Sequence, residues 1–145
     1  MRLSMTVALP RRTSSVGEAR HILDVLLSLT TASEATRDYL AILLTEACAN
    51  VVHHGDAGTS IDLRITIEAG TCVLEVGNHG RRPDGGDPFT HLAPPDQPHG
   101  RGLPLIAALA DTAEFLDTTP GYVLLRIARR LHDPGGEGAA DLSGP

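Results

Sequence analysis

The segment Thr45 to His54, TEACANVVHH, spaces a carboxylate, a carboxamide and an imidazole four residues apart. On an α-helix, at about 100° per residue, each such step turns only about 40° around the axis. Glu46, Asn50 and His54 then share one narrow stripe, with His53 beside it and Leu44, Ala47, Cys48, Val51 and Val52 covering the other sides. The amide oxygen of Asn50 is a hard, neutral ligand suited to Mg2+, which takes one or two protein oxygens and fills the rest of its shell with water and phosphate. Glu46, one turn away, can accept a proton from a water or hydroxyl nucleophile. His54, at the helix end, can orient a neighbour or meet a phosphate. By itself such a stripe is more often a solvated helix face. His53-His54 is a poor metal site, because adjacent helical side chains diverge and neither cysteine stands at a zinc spacing.

Two further segments carry chemistry. Glu75 to Gly80, EVGNHG, ends an apolar run with Asn78, whose amide can read a base edge, and Gly80, against whose backbone a flat ring can lie. His99 to Ile106, HGRGLPLI, opens a helix with Gly-x-Gly. A helix N-terminus offers free N–H groups and partial positive charge, and glycines let an anion approach the backbone. Gly100 and Gly102 therefore suit a phosphate, Arg101 adds charge, and Pro104 fits the first turn, where its missing N–H is no loss. Alone, this pattern is more often only a turn. A base reader, a Mg2+ ligand and a phosphate cradle together make a nucleotide site.

Positioning these residues requires a definite set of elements. Arg2 to Leu9 alternates loosely and reads as a strand ending at Pro10. Ser14 or Ser15 can cap a helix to about Leu29, and Ser33 or a neighbouring Thr a longer helix to His54, stopped by Gly55. Ser60 to Glu68 alternates Ile61, Leu63, Ile65 and Ile67 with polar residues. With Cys72 to Val76, across a tight turn at Ala69-Gly70-Thr71, it predicts a hairpin. Gly80 to Gly100, rich in proline and glycine, reads as a lid or binding loop. A helix from about Leu103 to Ala110 and a second hairpin, Thr112 to Asp117 and Tyr122 to Leu131, follow. The order predicts an α+β two-layer sandwich, with helices on one face of a mostly antiparallel sheet. Residues 1–131 make one domain, and 132–145 a mobile tail with little to bury.

The chain has 145 residues, 41% of them hydrophobic and only 3% aromatic, so Leu, Ile, Val and Ala must fill the core. A formal net charge of −6 argues against a general nucleic-acid binder. No apolar run is long enough for a membrane span, and the N-terminus has no signal-peptide apolar region, so a cytoplasmic protein is expected. Cys48 and Cys72 read as small core residues, which suits a reducing compartment. Every basic residue is Arg. Without lysine the chain can hold neither a standard P-loop, nor a protein kinase of the usual fold, nor a Schiff-base enzyme.

EACANVVHHG, EVGNHG and HGRGLPLI, in this order and spacing, resemble the N, G1 and G2 boxes of the GHKL ATPases, whose nucleotide-binding domain is the Bergerat fold. A sensor histidine kinase also needs a helical hairpin with a phospho-accepting His, and a gyrase or MutL type needs a transducer domain; these 145 residues hold neither. A lone domain of this size looks most like the anti-sigma factor serine/threonine kinases. The resemblance, over roughly residues 1 to 131, implies ATP and Mg2+ as cofactors, with a sigma factor and a STAS-type anti-anti-sigma protein as partners. Glu46 matches the family's general base, Asn50 its Mg2+ ligand and His54 its N-box histidine. Gly100 and Gly102, with Arg101 and Leu103 in the same box, match the phosphate-binding segment. Asn78 and Gly80 match the G1 box. There the family has Asp-x-Gly-x-Gly and this chain has Asn78-x-Gly80-x-Arg82. Asn can still accept a bond from an adenine amine, but without a charge. The departure leaves a second expectation open, a degenerate module that holds a partner with weak or no kinase activity. Family members often pair as homodimers; no stretch here marks that interface.

Overall fold

The computed structural model describes residues 1–81, 89 and 102–132. The elements run β1 (Arg2–Pro10), α1 (Ser14–Leu27), α2 (Glu34–His54), β2 (Ser60–Glu68), β3 (Thr71–His79), α3 (Gly102–Leu109), β4 (Thr112–Leu116) and β5 (Tyr122–Arg130). The expected α+β two-layer sandwich is found: the five strands order as β1-β2-β3-β5-β4, with every neighbouring pair antiparallel. The two hairpins join through β3 and β5, in register from Thr71–Arg130 to His79–Tyr122.

The alternation in β2 aims Ile61, Leu63, Ile65 and Ile67 into the core, where Cys72, Leu74 and Val76 of β3 and Val123, Leu125 and Ile127 of β5 meet them. Helix α2 covers this face with Leu40, Leu43, Leu44, Ala47, Cys48 and Val51, a stripe at spacings of three and four. Phe89, from the long loop, stacks on Phe115 of β4 at 5.5 Å against the same core. Burial pushes the thiols of Cys48 and Cys72 up to about 12. Among the described residues no helix is long and apolar enough to cross a membrane.

The boundaries differ from the sequence reading in instructive ways. Ser33 does cap α2, accepting from the Thr36 N–H at 3.2 Å. For α1 the cap position is Thr13, without a side-chain cap bond, and the Ser15 hydroxyl donates to the Pro10 carbonyl at 2.6 Å. That helix ends at Leu27, where Thr30 donates back to the Leu27 carbonyl at 2.7 Å. Gly55 ends α2, but in an extended conformation (φ −68°, ψ 155°) rather than the left-handed one usual after a helix. Its reason for being glycine is close packing: a Cβ would lie 2.7 Å from the Val51 carbonyl and 2.9 Å from the Thr59 methyl. Strand β3 runs past Val76 to His79, because β5 pairs with it to its end. Helix α3 begins one residue earlier than expected, at Gly102.

Candidate functional site

The polar stripe of α2 lies roughly a quarter turn from the stripe buried on the sheet. Glu46 and Asn50 are accordingly half-buried and His54 is exposed. The carboxylate of Glu46 faces the first residue of α3: a Cβ on Gly102 would sit 2.6 Å from Oε2 of Glu46. Only a glycine lets the start of α3 come this close. The seam thus looks towards a helix N-terminus, whose first N–H groups have no partner within the helix. Leu103 is buried beside it and anchors the turn. Gly100 and Arg101 lie outside the described residues, as do Arg82 and most of the loop from Gly80 to Gly100.

The C-terminal end of α2 meets the end of β3. A Cβ on Gly80 would come 2.8 Å from Nδ2 of Asn78, and 3.6 Å from both the Gly55 Cα and the His54 carbonyl oxygen. Asn78 is 6% exposed and faces the helix side of the sheet, one pleat beyond Val76. Its amide Nδ2 donates to the His79 carbonyl at 2.9 Å. Among the described residues its side-chain oxygen has no hydrogen bond. One of its two amide N–H donors is engaged, and the oxygen is left over as an acceptor.

Several backbone bonds fix this corner. The His79 carbonyl also accepts from the Asp56 N–H at 2.9 Å, and the His79 N–H donates to Oγ1 of buried Thr59 at 2.9 Å. The Gly80 N–H donates to the Gly121 carbonyl at 3.0 Å. Arg11 reaches over from the β1–α1 loop to bond the Val52 carbonyl at 2.8 Å near the end of α2. Sequence reasoning missed Thr59 and Gly55 as organisers of the corner, because a DAGT turn carries no chemical signature.

Asn50 stands one turn from Glu46 and one turn from His54. Eight residues of helix rise about 12 Å, so the seam carries its three polar groups at intervals of about 6 Å. Arg81 is exposed and lines a cleft of about 480 Å3 with the β4–β5 turn; no residue of α2 lines that cleft. Among the described residues no group of three or more His, Cys, Asp or Glu side chains is placed to hold a metal ion.

Residues 9–128 match the family model described as the histidine kinase-like ATPase domain. No curated protein matches the chain in sequence. Among solved structures, the RsbU and RsbW domains of Rv1364c from Mycobacterium tuberculosis superpose with a TM-score of 0.65 at 17% identity, covering 91% of this chain and 33% of that one. This chain thus spans a third of that protein. The SiaB–SiaC complex from Pseudomonas aeruginosa gives a TM-score of 0.62 at 19% identity, covering 86% of this chain and 88% of the other. The histidine kinase domain of the blue-light activated kinase EL346 from Erythrobacter litoralis gives 0.51 at 17% identity, covering 84% and 61%. At these identities the likeness is one of fold.

Proposed function

The chain belongs to the histidine kinase-like ATPase domain family, and on that premise we propose that it is an ATP-binding anti-sigma factor that phosphorylates a serine or threonine of a STAS-type partner. Membership of the family implies a capacity for ATP with Mg2+. The observation that supports the finer reading is helix α2: its C-terminal end borders Asn78 and Gly80, its Glu46 borders Gly102, and Asn50 lies between. That order matches a nucleotide laid along the helix, base at the β3 end and phosphates at the start of α3. The residues fit the group at both ends. Gly80 and Gly102 stand where any Cβ would collide, and the spare acceptor of Asn78 suits an exocyclic amine.

In this reading residues 1–131 are the nucleotide-binding domain and 132–145 a tail. Asn50 would hold Mg2+, which when bound neutralises phosphate charge. Asn78 and Gly80 receive the adenine, with His54 at the same end of the seam. The backbone from Gly100 to Leu103, with Arg101, holds phosphate oxygens. Glu46 takes the proton of the attacking hydroxyl, as a general base does. Phosphoryl transfer needs mainly such positioning and charge neutralisation. A sigma factor and the STAS protein are the proposed partners, and a homodimer the proposed assembly. The likeness to a chain that holds RsbU and RsbW domains and to a protein found in a binary complex is in keeping with this.

The replacement of the G1 acid by Asn78 favours a second reading, a partner-binding module with weak or no kinase activity. Incubation with radiolabelled ATP, Mg2+ and a cognate STAS protein separates the two. Label on the STAS protein that disappears in Glu46→Ala supports the kinase. Nucleotide binding without transfer supports the module, and no ATP-dependent thermal shift removes both.

A further inference from the structure

The face of the sheet away from the helices carries a side-chain bridge that the nucleotide site does not use directly. The hydroxyl of Tyr122, on β5, donates to Oδ2 of Asp62, on β2, at 2.7 Å. The other carboxylate oxygen of Asp62 accepts from the Ser60 hydroxyl at 2.6 Å. Strand β3 runs between them, and the tyrosine can cross it only because residue 77 is glycine. A Cβ on Gly77 would lie 2.2 Å from the Tyr122 oxygen and 2.8 Å from its Cζ. His79, two residues on and on the same face, meets the tyrosine ring edge-on at 5.2 Å and 77°. One tyrosine therefore touches both chain neighbours of Asn78, from the side opposite to the one Asn78 faces.

This matters because the β2–β3 ladder stops at Asp62–Gly77. Beyond that pair, Asn78 and His79 leave β2 and depend on β5 and the loop from 55 to 59. A carboxamide in this place has a right and a wrong way round, since turning it over exchanges acceptor for donor. The bond from Nδ2 to the His79 carbonyl fixes which way round the carboxamide sits. That bond is only as fixed as the His79 peptide.

We propose that Tyr122, latched to Asp62 across Gly77, is a positioning residue that steadies Asn78 and His79, so that the Asn78 oxygen faces the exocyclic amine of a 6-amino purine and a 6-oxo purine is refused. The proposal rests on the nucleotide-site reading above. Burial first, and then the Asp62 carboxylate, push the Tyr122 hydroxyl up to about 12, so it remains a donor well into the alkaline range.

The test is calorimetric titration of the full chain with ATP and with GTP, in wild type, Tyr122→Phe, Asp62→Ala, Asp62→Asn and the Tyr122→Phe/Asp62→Ala pair. Tyr122→Phe keeps the ring and removes only the hydroxyl. It and Asp62→Ala should each weaken ATP binding three- to tenfold and narrow the ATP-to-GTP ratio. The double variant should lose no more than either single one, because one latch is broken once. Asp62→Asn, which keeps an acceptor, should stay near wild type, as should kcat at saturating ATP in every variant. Unchanged ATP affinity in Tyr122→Phe, or equal weakening of ATP and GTP, overturns the proposal. A wild-type chain that binds neither nucleotide instead defeats the nucleotide reading. The latch is then judged without ligand, by NMR exchange of the Asn78 side-chain amide protons: faster exchange in Tyr122→Phe supports it, and an unchanged rate overturns it.

Discussion

Replacing Gly102 by alanine tests the seam more sharply than removing Glu46 does. The new Cβ would stand 2.6 Å from Oε2 of Glu46, against the 3.4 Å at which ordinary contact begins. The carboxylate must therefore retreat by about 0.8 Å. Being the far end of a flexible side chain, it can do so by turning its χ angles, at about 0.5–1.5 kcal/mol. Alanine returns up to about 1 kcal/mol of helix propensity at that position, less in a first turn. The two effects nearly offset, so stability should change by no more than about 1 kcal/mol, a few degrees in Tm for a domain of this size. Catalysis has no such compensation: a reacting group misplaced by about 1 Å can lose ~100-fold in rate. We expect kcat for transfer to the STAS protein to fall about 10- to 100-fold, with a smaller loss of ATP affinity from the Cβ added beside the phosphate-holding backbone. Single-turnover transfer at saturating ATP reads the rate, titration reads the affinity, and thermal unfolding reads the fold. In a Glu46→Ala background the same substitution should be silent in the rate at saturating ATP. A folded Gly102→Ala protein that transfers phosphate at the wild-type rate would refute the reasoning, as would a further full loss added to Glu46→Ala.

Asn50→Ala should abolish the Mg2+ dependence of ATP binding; titrations with and without the ion that still differ as in wild type would remove Asn50 from the site. Ala69 and Gly70 form the β2–β3 turn with φ of 51° and 74°, a pair of left-handed residues that suits Asn-Gly. Ala69→Asn should therefore stabilise the fold by about 0.5–1 kcal/mol, read as a raised denaturation midpoint at unchanged slope. Burial raises the Cys48 and Cys72 thiols from 9.0 to about 12 in the folded state, so thiolates form first in the unfolded chain. Their contribution is complete below pH 9 and declines between about pH 9 and 12, by up to ~1.4 kcal/mol per pH unit per thiol. Denaturant curves across this range would measure it, and at pH 8 neither thiol should react with a thiol reagent faster than the chain opens.

Local signals are legible wherever a residue acts through its near neighbours in sequence. The Ile61-Leu63-Ile65-Ile67 alternation gave β2 its buried face, Ser33 its capping role, and the spacing of Glu46, Asn50 and His54 a shared seam before any contact was known. The motifs at Asn78 and Gly102 were visible too, through their likeness to a family's boxes. Where local rules misled, packing was the cause. Ser14 or Ser15 reads as the cap of α1, yet the Ser15 hydroxyl is engaged by the Pro10 carbonyl; Gly55 stops α2 as read, but as an extended residue crowded by Val51 and Thr59.

What the sequence determined by itself, then, was the set of elements and the face each presents. Helical and strand periodicities are properties of a few consecutive residues. What only the tertiary structure decided was which faces meet. The pairing of β3 with β5, Gly102 brought against Glu46 across 56 residues of chain, and Tyr122 laid over Gly77 to reach Asp62 are all contacts between distant segments. Each depends on the register of several strands and on the one helix packed across them, a joint condition that no single stretch of sequence encodes.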